Sequence, residues 1–293
     1  MAHSHSVFRS AQLACLLAAL PMALSAAEQV PQVVFQGGRS IPLTALNLQG
    51  DKLVVKTAGD GFNVGQIFSL LAADHVYGDK PTAINQGVAL LLMGKPKDAQ
   101  KLLEPVVAEH RATAKISGNF WLEAARALLV ANAVIGDGGA CAALGKEISD
   151  ATPAQGIDSF VTLGKALLLP VTVKMDDRLL ALRDLTVDTM PADVRAYAYF
   201  HTGNLCKKEK RNPEALEAYL AVPCVVPTGG LVLNAAAEVQ AADLITSLGR
   251  SDESKELLNG RRDQAMALLN AALRDAPGTM LVEEVHKRLE TLK

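Results

Sequence analysis

The chain has 293 residues, of which 49% are apolar, and a formal charge of −2 at neutral pH. That apolar content buries a core large enough for one sizeable domain or two modest ones and argues against disorder. The near balance of charge excludes nucleic acid and anionic lipid as general partners, because phosphate binding needs clustered cations that release counterions. With aromatics at only 4% and Ala and Leu abundant, the composition suits helices packed through small side chains better than a β-sandwich.

In chain order, residues 1–27 read as a signal peptide: a polar start containing Arg9, an apolar run from Ala11 to Leu24, and the small residues Ser25-Ala26-Ala27 that signal peptidase accepts. Cleavage is expected near Ala27, leaving a chain that begins at Glu28 and works outside the cytoplasm, as in a bacterial periplasm. The run falls short of the ~20 apolar residues that span a bilayer, and no later stretch reaches that length, so no transmembrane segment is expected after cleavage. Cys15 lacks the setting of a lipid-attachment cysteine: Gln12 stands where Leu is required, and apolar sequence continues beyond it. Cys141, Cys206 and Cys224 remain; their spacing matches neither a CxxC motif nor a zinc pattern, and it does not select a disulfide pair.

Residues 28–70 carry a period near two and predict a small antiparallel β unit. Ile41, Leu43 and Ala45 alternate, as do Leu53 and Val55, and Gly50-Asp51 is a two-residue hairpin turn. A third strand is expected over Phe62–Ile67, leading into the first helix. An isolated hairpin is marginal in water, so this unit should pack on the first helices.

Residues 71–293 form a succession of Ala/Leu-rich, helix-length segments, and breaks are expected at Gly94-Lys95-Pro96, Gly136 to Gly139, Pro153, Pro170, Pro191, Arg211-Asn212-Pro213, Pro227 to Gly230, Gly249, Gly260 and Pro277. The breaks recur. Ala99 to Cys141 is 42 residues, Cys141 to Ala215 is 74, or two steps of 37, and a hairpin over Phe160–Leu185 supplies the intervening unit. Ala215 to Ser254 is 39 residues, but Gly260, Ala265, Leu269, Ala272 and Pro277 fit a second helix equally well, so an insertion or short extra helix is expected between Gly249 and Gly260.

Within this register, Tyr199, Gly203, Ala215, Tyr219 and Pro227 hold the places of a first aromatic, a helix-crossing Gly, a small residue on the second helix, an aromatic four later and a closing Pro. The unit resembles a tetratricopeptide repeat, and Gly87, Gly94, Ala99 and Leu103 repeat its spacing, as do Gly136, Cys141 and Pro153. The resemblance implies a mainly α protein, an α-solenoid of about five TPR-like helical hairpins preceded by the small antiparallel β unit. It also implies a concave groove lined by first helices, in which Asn204, directly after the crossing Gly, Lys208 one turn later, and Arg126 and Gln240 on neighbouring units contact a ligand. Val88 holds the place of Asn204 in the first unit, which departs from a full carboxylate clamp. Gly203 is expected to meet Ala215 where the helices cross.

Chemistry-bearing motifs are sparse. Ala140 to Lys146 imitates a phosphate loop, but Glu147 replaces the Ser or Thr that would hold magnesium and no strand precedes it. His75, His110, His201 and His286 are out of helical reach of one another, and read as surface or capping residues. Asp176-Asp177 and Glu283-Glu284 are adjacent on helices, so they point in different directions and make no acid/base dyad. Lys207 to Arg211 reads as a cationic helix end. No GxSxG elbow is present. The expectation is a non-catalytic extracytoplasmic scaffold that needs no cofactor or metal and binds a protein or peptide partner, because stacked hairpins make extended grooves. Two readings stay open beside it: a small-ligand binder with an apolar cavity inside the superhelix, and a hydrolase whose residues gather from loops.

Overall fold

The computed structural model describes residues 29–152, 157–248 and 254–292. The expected signal peptide, Pro153 and Gly249 lie outside the described residues. Among them are eleven α-helices and two three-stranded antiparallel sheets.

The sheets form the N-terminal unit. Its strands are β1 (Gln32–Phe35), β2 (Ser40–Pro42), β3 (Leu46–Gln49), β4 (Lys52–Val55), β5 (Ile67–Ser69) and β6 (Ala73–Tyr77), ordered β2-β1-β6 in one sheet and β3-β4-β5 in the other. Gly50-Asp51 closes the β3–β4 hairpin, with Gly50 at φ +62°, a conformation for which a side chain is costly. Leu43 and Ala45 point inward as expected, but from a 3-10 turn rather than a strand. The third strand of the second sheet starts at Ile67; Phe62 lies in the preceding loop, buried with its ring centroid 5.6 Å from those of both Phe35 and Phe68. The unit also runs past the expected boundary at residue 70, because β6 is needed to cover the open side of β1.

The unit is internally two-fold. Strand β1 pairs with β2 through Val33 opposite Ile41, and β4 pairs with β5 through Leu53 opposite Phe68. The 3-10 turns Leu43–Ala45 and Leu70–Ala72 follow in each half. Main-chain bonds repeat too: the Leu43 N–H donates to Pro31 O and the Leu70 N–H to Asp51 O, while the Gln36 N–H donates to Ala72 O and the Lys56 N–H to Ala45 O. The last strand of each half crosses to the other half, so β3 joins β4 and β6 joins β1. Neither half closes a sheet alone, and their apolar faces meet in one core containing Val33, Phe35, Leu53, Val55 and Phe62.

Helices α1 (Thr82–Leu92) and α2 (Pro96–His110) form the first hairpin, α3 (Trp121–Ile135) and α4 (Gly138–Ala151) the second, and α5 (Ser159–Leu167) and α6 (Met175–Arg183) a short third. Helices α7 (Ala192–Lys208) and α8 (Asn212–Val225) make the fourth, α9 (Leu231–Ser247) and α10 (Lys255–Asp275) the fifth, and α11 (Leu281–Thr291) ends the described chain. The punctuation has local causes. Gly136 ends α3 at φ +90°, Asp137 then caps α4 by accepting the Ala140 N–H at 2.9 Å, and Pro96 and Pro213 sit in first turns where no N–H is missed. Gly260 is not a break. Helix α10 passes through it in solvent, and the inward register starts at Ala265 and continues through Leu269 and Ala272.

The hairpins do not remain an open stack in which each unit touches only its neighbours. Helix α1 packs on α3, α3 on α5, α5 on α7, α7 on α9, and α9 back on α1. The first helix of each hairpin thus lines a closed ring, with α2, α4, α6, α8 and α10 outside. Gln86 of α1 fastens the closure by donating to Gly278 O at 2.9 Å and accepting from the Met280 N–H at 3.0 Å in the α10–α11 link. The apolar core of the helical body is continuous from Ile84 to Val285. The β unit docks beside α2 and α3, where Ile116 enters its core and the Val76 N–H donates to Ser117 O at 2.8 Å. Gly118 is required there: it lies at φ +71°, and a Cβ would meet Val76 O at 2.9 Å. No helix among the described residues is long and apolar enough to cross a membrane.

Candidate functional site

A cavity of about 650 Å³ opens where the first turns of the five inner helices converge. It takes Asn85 and Val88 from α1, Leu122, Glu123, Arg126 and Ala127 from α3, Phe160 from α5, Asp193 and Tyr197 from α7, and Leu231 to Leu233 from α9. Asp275 and Ala276, at the C-terminal end of α10, complete the wall with Lys80, Asn119, Pro277 and Thr279. The volume lies in the range of small-molecule sites, and the lining combines apolar walls with a few polar groups.

Two cations of the lining are already matched. Lys80 pairs with Glu123. Arg126 pairs with Asp158, whose Oδ2 accepts from Nη2 at 2.6 Å and from Nε at 3.2 Å. The Asp158 side chain is 1% exposed, and its other oxygen caps α5 by accepting the Phe160 N–H at 2.9 Å. The Arg126 guanidinium also lies 5.1 Å from the Phe160 ring centroid. Arg126 is therefore a strut between α3 and α5 at the cavity edge, held by a charge-assisted pair.

The opposite wall is less balanced. Asp193 accepts only the Val194 N–H, and Asp275 has no ion-pair partner among the described residues. Tyr197 is 5% exposed and lines the cavity, and its hydroxyl has no hydrogen-bond partner among the described residues. Burial pushes its phenol above the usual range, with the Asp193 and Glu123 carboxylates adding to the shift. Behind Asp275, Glu238 of α9 is 6% exposed with Oε2 unpaired. Burial, reinforced by the Asp275 charge, pushes the Glu238 carboxyl up to about 7.

The four residues expected to line one groove are divided among three places. Arg126 edges the central cavity. Asn204 and Lys208 come together at the other end of the ring, beside a crevice of about 270 Å³ that also takes Arg178 and His201. Asn204 Oδ1 there accepts the Tyr219 hydroxyl at 2.7 Å. Gln240 accepts from Lys207 Nζ at 2.8 Å and faces a smaller crevice next to α11. The reason is their place along the inner helices: Arg126 lies in the second turn of α3, Asn204 and Lys208 in the last turns of α7 and Gln240 midway along α9, so they stand at different heights of the ring.

Two of the histidine expectations are corrected at the side-chain level. His110 and His201 are buried at 2% and 8% exposure rather than superficial. Burial lowers both imidazoles, His201 to about 4, so the latter stays neutral against Tyr197 and Phe200. Ala140 to Lys146 lies in α4, without a phosphate-loop turn. Cys141, Cys206 and Cys224 are free thiols. Among the described residues no three His, Cys, Asp or Glu side chains gather as a metal site requires. Asp193, Tyr197, Glu238 and Asp275 were not singled out in the sequence. Separated by up to 82 positions, they meet only because the ring brings the start of α7 to the end of α10. No protein-family model matches the chain, and neither a curated protein nor a solved structure was found to match it.

Proposed function

We propose that this is a non-catalytic, extracytoplasmic binding protein whose TPR-like hairpins close around a small ligand. The observation that carries the reading is the cavity of about 650 Å³ to which all five inner helices contribute side chains. A pocket walled by many separate elements is preorganised by the whole fold, which lowers the ordering cost of binding. Its lining contains no His, Cys or Ser, so nucleophile and base pairs of the usual acyl-transfer kind have no place in it. Export is supported by the residues preceding Glu28, and the repeat identity by the shared spacing of the hairpins.

Native mass spectrometry of protein purified from its own host tests this reading, alongside a thermal-shift screen of small metabolites. A retained or stabilising compound is expected, and it should be lost in Val88→Trp, which fills the cavity from α1. Absence of any ligand in both assays, or equal binding by Val88→Trp, would sink the proposal.

A protein-scaffold role is favoured by a separate observation. The edge strand β5 exposes Ile67, and the adjoining Val64 and Leu71 are 66% and 84% exposed. Cross-linking in the native envelope addresses it, and a partner captured reproducibly through these positions is the expected result.

A further inference from the structure

The charge on the cavity wall indicates what kind of ligand it takes. Both cations of the lining are spent, Lys80 on Glu123 and Arg126 on Asp158. Asp193 and Asp275 are left half-buried without ion-pair partners among the described residues, and the exposed Arg274 next to Asp275 offsets the burial and the Asp275 charge at Glu238 only in part. Glu238 adds a third carboxyl behind Asp275, with Oε2 unpaired. Helix dipoles do not offset this. The N-terminal ends of α3, α5 and α7 already hold Glu123, Asp158 and Asp193, which absorb their positive ends. Helix α10 presents the opposite end, so its last carbonyls reinforce the negative charge of Asp275. Tyr197, 5% exposed, also lines the cavity beside Asp193, and its hydroxyl has no hydrogen-bond partner among the described residues.

We propose that the central cavity binds a small organic amine, its ammonium held by Asp193 and Asp275 with the Tyr197 hydroxyl as a further hydrogen-bond acceptor. This rests on the reading of the cavity as a binding site and specifies the class of ligand. An ammonium has three donors and no acceptor, which matches a wall of oxygens. Two unpaired carboxylates also accommodate two ammonium groups on one ligand, with its methylene chain against Val88, Leu122 and Leu231. An anionic ligand would meet uncompensated like charges, which disfavour it.

Isothermal titration calorimetry of the purified protein tests this with putrescine, spermidine and, as an anion of similar size, glutarate. The amines should bind and glutarate should not. Asp193→Asn and Asp275→Asn, both near-isosteric, should each weaken amine binding at least tenfold. Asp184→Asn, which removes the same charge from an exposed site off the cavity, should leave it unchanged. Amine affinity unaltered in the Asp193→Asn/Asp275→Asn double variant, or no amine binding, would overturn the proposal. If glutarate or another compound instead binds and Val88→Trp abolishes it, the cavity is a site and the amine class is wrong. If nothing binds and native mass spectrometry finds no ligand, the binding-site reading itself fails.

Discussion

Gly203 shows how a single missing side chain sets a helix crossing. A Cβ built there would lie 2.6 Å from the Tyr219 ring, so the glycine opposes the aromatic on α8 rather than Ala215, as the repeat pattern alone had suggested. Gly87 meets Leu103 in the same way at 2.6 Å, and the two pairs share a separation of 16 residues. Gly203→Leu, and to a lesser degree Gly203→Ala, should push Tyr219 off its bond to Asn204 and lower stability by about 1–3 kcal/mol. A chemical-denaturation midpoint equal to wild type would refute this. Glu238 gives a second residue-level expectation. Its carboxyl is raised to about 7 in the fold from an ordinary 4.5, so between those values the native state holds more protons than the unfolded chain. Its contribution to stability is therefore complete below about pH 4.5 and disappears as pH rises through about 7. Glu238→Gln should melt higher than wild type at pH 8 and show a smaller difference at pH 5. His201 runs the other way: lowered to about 4, it contributes stability above pH 6.5 that is lost as pH falls through about 4. Melting Glu238→Gln and His201→Gln across pH, each against wild type, separates these opposing slopes.

At the scale of elements, the Arg126–Asp158 pair joins α3 to α5. Arg126→Ala would leave Asp158 buried and unpaired, and a cost of about 3 kcal/mol is expected, whereas Asp158→Asn keeps the cap on Phe160 and should cost less. Urea denaturation of both variants measures the difference, and a larger loss for Asp158→Asn would contradict the assignment. The β unit illustrates a different kind of interdependence. Each half donates its last strand to the other, so neither hairpin can persist alone. The duplication is obscured in the sequence by its connecting loop, four residues between β1 and β2 but eleven between β4 and β5. Period-two alternation still located Leu53, Val55 and the Gly50-Asp51 turn, because those depend on nearest neighbours; β6 went unrecognised because its pairing partner β1 lies some forty positions away.

For the whole molecule, closure changes how the repeats behave. An open array unfolds approximately as a sum of neighbouring units. Here α1 rests on α9 and Gln86 holds the α10–α11 link, so fraying from an end requires breaking the ring. Denaturation followed by far-ultraviolet circular dichroism and by the single tryptophan, Trp121, 1% exposed in α3, should give coincident transitions. Separate midpoints for the two signals would indicate independent unfolding of the hairpins.

The sequence by itself determined the helix-length segments, most of the breaks between them, and the two hairpin registers anchored on Gly87 and Gly203, because turn chemistry and apolar spacing act over a few residues. It also located Asn204, Lys208, Arg126 and Gln240 on inner helices, but not which of them share a space. Only the tertiary structure decided that α9 returns to α1, that Arg126 is consumed by Asp158, and that Asp193, Tyr197 and Asp275 face one cavity. The physical reason is that ring closure follows from small rotations accumulated over five hairpins. No local pattern encodes that sum, and the unpaired charges of the cavity wall exist only once it is complete.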